Sequence, residues 1–140
     1  MTPVTPTLRD RVQSQANSRC GYCCARQEYL PWGLEIEHII PRSKGGPDDE
    51  ENLWLACHSC NLYKSDQTHA RDPLTGRWMR LFNPRRQVWK RHFHWSENGE
   101  QIVGRTACGR ATVVALNLNN LLAVTVRRNW IAAGWHPPSE

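Results

Sequence analysis

The chain has 140 residues, a formal net charge of +5 and a pI near 9.1, which suits one domain or one small domain with an extension. The basic balance points to a polyanionic partner over an acidic protein substrate. No apolar run approaches the ~18 residues that cross a bilayer, which excludes a membrane-spanning helix.

Residues 1–6 are polar and extended and read as a disordered lead-in. Thr7 is placed to cap a helix over residues 8–18, where Leu8, Val12 and Ala16 recur every four residues. Cys20-Gly-Tyr-Cys23 forms a tight knuckle. Leu34 to Ile40 alternates and is rich in β-branched residues, predicting a strand that Pro41 ends. A Gly/Pro/Asp loop follows from Ser43, then a short strand or turn from Asn52 and a helix from His58 to about Ser65. Together these make a ββα unit. Beyond it, Asp72 to Gly76 reads as a turn and Arg77 to Phe82 as a strand. Residues 92–95 and 101–104 read as a hairpin. Two helices are expected over residues 108–117, begun at Thr106, and over 119–133, stopped at Gly134. The expected class is α+β in a single domain over residues 1–140, with a core over 7–69 and an α/β extension over 70–140.

Six cysteines without an apolar signal-type segment point to a reducing, cytoplasmic setting. There, Cys-x-x-Cys pairs read as metal ligands and not as a disulfide framework. Cys20/Cys23 and Cys57/Cys60 are two such pairs, with 33 residues between Cys23 and Cys57. Four thiolates close a tetrahedral shell and leave no open position, so this zinc is structural. Cys24 competes with Cys23, although the two-residue gap favours Cys23; Cys24 and Cys108 otherwise read as small buried hydrophobes. The clamp would draw Glu37, His38, Asn52 and Asn61 together, and it needs none of them as a ligand. Alone, His38 between Ile36 and Ile40 would read as a core histidine. Strand alternation sends Glu37 and His38 to opposite faces, and Glu35 is an alternative carboxylate.

Glu37-His-Ile-Ile-Pro41, Gly45-Gly46, Asn52-Leu53 and Cys57-His-Ser-Cys-Asn61-Leu-Tyr-Lys64 resemble the HNH endonuclease family in its zinc-stabilised Cys-x-x-Cys branch, over about residues 18–66. The resemblance implies a ββα-metal fold, one catalytic divalent cation and hydrolysis of DNA phosphodiesters to 5′-phosphate and 3′-hydroxyl ends. By position, it implies that His38 is the general base and that Asn52 braces the loop and orients that base. Glu37 and Asn61 would be cation ligands, and Lys64 would hold a phosphate. A neutral imidazole is a suitable base near neutral pH, and carboxylate and amide oxygens suit Mg²⁺ or Mn²⁺. His58 reads as a surface residue, while His69 has a route to the cation from beyond the helix.

The expected partner is double-stranded DNA, held by Lys64, Arg42, Lys44, Arg85 and Arg86, with the protein a monomer or homodimer. In the extension, Arg80, Lys90 and Arg91 alternate with Trp78, Trp89 and Trp95, whose rings read first as core and second as base-stacking surfaces. In the last helix Leu121, Leu122, Val124, Val126, Trp130 and Ile131 include an apolar stripe, expected to pack on the ββα unit, with a dimer seam as the alternative. The rival reading is a non-catalytic zinc-knuckle module that binds nucleic acid.

Overall fold

A computed structural model describes residues 4–138, so part of the expected lead-in, residues 1–3, lies outside the described residues. The chain is α+β, with short antiparallel hairpins among helices, and its contacts divide into two compact units. The first runs to Thr68 and takes in Asn83–Gln87; the second holds His69–Phe82 and the chain from Val88 on. Among the described residues, no helix is long and apolar enough to cross a membrane.

The first unit holds α1 (Pro6–Gln15), β1 (Glu35–His38), β2 (Leu53–Ala56) and α2 (His58–Lys64). The cap of α1 is Thr5, not Thr7: its hydroxyl accepts from the Leu8 amide, and Pro6 supplies a preset first turn. The helix stops early because Asn17 and Ser18 take positive φ, at 55° and 52°. β1 pairs antiparallel with β2, Glu35 opposite Ala56 and His38 opposite Leu53. It ends before Pro41 because Asn52 takes over the next amides: Ile39 donates to its carbonyl and Ile40 to its side chain. Val12, Tyr22, Leu34, Leu53 and Leu55 are buried in this unit.

The second unit adds β3 (His69–Arg71), β4 (Trp78–Arg80), α3 (Trp89–His92), β5 (Phe93–Trp95), β6 (Ile102–Gly104), α4 (Ala107–Ala115) and α5 (Leu121–Ala132). Thr106 caps α4 as expected, accepting from Gly109. β4 is shorter than the expected strand, and its partner β3 lies in a stretch with no strand signal. Phe82, Phe93, Trp89 and Trp95 form an aromatic cluster, so two of the tryptophans pack inward. Of the expected apolar stripe of α5, Leu121 and Leu122 are 84% and 73% exposed, while Val124, Val126, Trp130 and Ile131 are half-buried. Arg127 is the buried residue of α5. It donates to the Glu100 and Leu118 carbonyls and lies 5.6 Å over the Trp95 ring, so a guanidinium and not a leucine stripe anchors the helix.

Candidate active site and metal centre

The Sγ atoms of Cys20, Cys23, Cys57 and Cys60 all lie within 4.8 Å of one another. Cys23 and Cys57 are 3.7 Å apart, far beyond an S–S bond and close to the edge of roughly 3.8 Å expected of a tetrahedron with Zn–S bonds near 2.3 Å. Cys23 and not Cys24 enters the quartet; Cys24 turns aside at φ 65° and is only half-buried, whereas Cys108 is buried as expected. Backbone amides support the sulfurs: Tyr22 and Cys23 donate to Cys20, and Cys60 donates to Cys57, which also caps α2. Hydrogen bonds from Cys20, Cys23 and Cys60 hold the Cys57 thiol well below its usual range, while the neighbouring thiols and burial push Cys23 and Cys60 up. Metal binding at such a quartet needs the thiols deprotonated, so a divalent ion would displace their protons.

Period-two alternation puts Glu35 and Glu37 on one face of β1, against α2. Glu37 is 1% exposed, with Tyr22 donating to Oε2 at 2.9 Å. Lys64 reaches back from α2 to 2.6 Å from Oε1, off the hydrogen-bonding axis, so that buried oxygen has an ionic partner but no directed hydrogen bond. The ammonium also donates to the carbonyls of His38 and Ile39, each at 3.0 Å. Burial, followed by the Glu37 charge, raises the Tyr22 phenol above its usual value.

Asn61 bonds not to Glu37 but to Glu35, whose Oε1 accepts from its amide at 2.9 Å; His58 Nδ1 lies 2.8 Å from Glu35 Oε2. Partial burial opposes ionisation of Glu35, yet Asn61 and His58 together bring its carboxyl below the usual value.

On the other side of the strand, His38 is partly exposed, and its Nε2 lies 2.7 Å from Asp48 Oδ1. Arg42 Nε donates to the same oxygen at 2.9 Å, and Arg42 first, then His38, lowers the Asp48 carboxyl. The loop that returns Asp48 to His38 is clasped at its neck by Asn52, whose amide donates to the carbonyls of Ile40 and Pro47. Gly45 takes φ +83° there, and a Cβ on Gly46 would collide with the Ile40 carbonyl, so neither position admits a side chain without strain.

Residues 19–67 match the HNH endonuclease family model. This segment is similar to HNH domains. No curated protein matches the chain.

Within residues 19–67 two expectations need correction. Lys64 is 2% exposed and is not available to a phosphate, because a carboxylate on the helix-facing side of β1 needs a cation beside it. Glu37 and Asn61 are not joined, because Asn61 faces the more exposed Glu35. Of the other expected DNA contacts, Arg42 is tied to Asp48, and Lys44 and Arg86 are exposed. Arg85 braces the domain by donating to Leu53 and Gln15, and its guanidinium lies over the Trp54 ring. His69 lies on β3, in the second unit, stacked with Trp78. Asp48 is the residue that sequence reasoning missed. A carboxylate ten positions after His38, just past a Gly-Gly pair that folds the loop back, was the available signal.

Lys64→Met should destabilise the protein by about 3–5 kcal/mol in urea unfolding, because it strands the Glu37 charge in the interior. Glu37→Gln combined with Lys64→Met should recover most of that loss. A single variant as stable as wild type would show that the pair carries no such charge.

Proposed function

We propose that the HNH-like segment hydrolyses DNA phosphodiester bonds, with His38 as general base. The observation that carries this reading is the His38–Asp48 contact at 2.7 Å, which places the ring proton on Nε2 and leaves the Nδ1 lone pair with no protein partner among the described residues. Nδ1 takes a proton from water as the water oxygen bonds to phosphorus; the P–O3′ bond breaks on the opposite side and the departing O3′ takes a proton from solvent, leaving 5′-phosphate and 3′-hydroxyl ends. Asn52 keeps the loop closed so that Asp48 stays against the ring. Lys44 and Arg86 are the exposed cations best suited to the sugar–phosphate backbone.

The donor set that suits a hard divalent ion is the Glu35 carboxylate with the Asn61 amide beside it, since Lys64 already neutralises Glu37. Glu35 and Asn61 would hold the ion. Mg²⁺ or Mn²⁺ held there would supply countercharge for the leaving oxygen. The four cysteines would hold a separate, structural zinc.

A second reading is a zinc-knuckle module that binds nucleic acid without cutting it, and the neutralisation of Glu37 by Lys64 favours it. Supercoiled-plasmid nicking in metal-free buffer, with Mg²⁺ or Mn²⁺ added back, separates the two. The nuclease reading expects cation-dependent nicking that disappears in His38→Ala. Equal activity in the two proteins, or none with any cation, leaves the binding module.

A further inference from the structure

We infer that the β3–β4 ribbon of the second unit is a binding site for an unpaired nucleotide of a nucleic-acid strand. In its register His69 stands opposite Arg80 and Arg71 opposite Trp78, so these four share one face, with Ala70 and Met79 on the other. Trp78 is 62% exposed, and Arg71 and Arg80 are exposed beside it. The Arg71 guanidinium carbon lies 5.5 Å from the Trp78 ring centre, and the His69 ring runs parallel to the indole with centroids 6.1 Å apart. Trp89 and Trp95 are partly buried and pack against each other, whereas Trp78 is exposed with arginines beside it.

The ribbon is rigid where it turns. Asp72 is fully buried and accepts from the Leu74 and Thr75 amides, the Thr75 hydroxyl and both arms of the Arg110 fork, at 2.8 and 2.9 Å. Arg110, before any other group, holds that carboxyl far below the usual carboxylate range. Asp72 is the one acid between His69 and Arg80, and Arg110 cancels it, so Arg71, Arg77 and Arg80 stand without an opposing charge in the ribbon. A stackable indole flanked by positive charge fits a base and its two phosphates, in a sequence-tolerant way because every base offers a π-face. A base paired in a duplex keeps its faces stacked on its neighbours, which makes a single strand the occupant.

This inference rests on the nuclease reading only for the choice of DNA over RNA, and it is tested by binding alone. Anisotropy of labelled single-stranded and duplex oligonucleotides, titrated with the full chain without divalent cation, provides the measurement. Trp78→Ala should weaken single-strand binding about 5- to 100-fold and leave duplex binding unchanged, while Trp78→Phe retains most of the affinity. Arg71→Ala and Arg80→Ala should each flatten the salt dependence by about 0.7 in log–log slope. Single-strand binding by Trp78→Ala equal to wild type, or no oligonucleotide binding by wild type, overturns the assignment. His38→Ala should keep full single-strand affinity, so loss of nicking alone leaves the ribbon site standing.

Discussion

Cys57→Ser, or removal of zinc by a strong chelator, should unfold the first unit. Cys57 has two jobs: its sulfur joins the quartet, and it accepts from Cys60 to cap α2. A serine hydroxyl can still accept that capping bond but is a poor zinc ligand, so the substitution isolates the metal's contribution. Closing a structural zinc site contributes on the order of 10 kcal/mol, whereas whole domains are stable by only about 5–15 kcal/mol. Losing one ligand therefore removes most of what keeps this small unit folded. The expected record is loss of the near-ultraviolet dichroism that reports packing around Tyr22 and Trp54, with about one zinc per chain by elemental analysis in wild type and little in the variant. Cys24→Ser, outside the quartet, should behave as wild type. A folded, zinc-free Cys57→Ser protein would show that the thiols are a packed cluster and not a clamp.

The second large effect is on turnover. His38→Ala should lower the nicking rate by about 10²–10⁴-fold, the usual contribution of a placed general base. Asp48→Ala should fall between that variant and wild type, because Asp48 reaches the substrate only through the imidazole it orients. The double variant should be no slower than His38→Ala, since two residues acting as a unit are not additive. Imidazole ¹⁵N shifts give a readout that a merely structural role would not move: wild type should carry its proton on Nε2, and Asp48→Ala should mix the two tautomers. An unchanged tautomer with unchanged activity would remove Asp48 from the mechanism. Equal activity of His38→Ala and wild type would remove the nuclease.

Cys-x-x-Cys spacing is a local geometric constraint, so the quartet was legible before any coordinates. The same holds for the cap at Thr106, where one residue's chemistry sets one backbone conformation. The ββα order and its likeness to the HNH family were legible for the same reason: a run of fixed spacings specifies which residues meet around the four cysteines.

What the chain alone left open was the direction and partner of each charged side chain. The resemblance to the HNH family implied Glu37 and Asn61 as cation ligands and Lys64 as a phosphate holder. Only the packing of α2 on β1 sends Lys64 inward to neutralise Glu37 and hands Asn61 to Glu35. Only the return of the loop brings Asp48 to His38. β3 carries no strand signal and exists because β4 pairs with it, and Leu121 and Leu122, read as part of an apolar stripe, are exposed on a helix whose buried residue is Arg127. Backbone turns and metal knuckles are decided over a few residues, so the sequence by itself determined them. Whether a charge is buried, paired or open depends on groups brought from elsewhere in the chain, since burying it unpaired costs several kcal/mol, on the order of the whole fold's stability, and only the tertiary structure decided that.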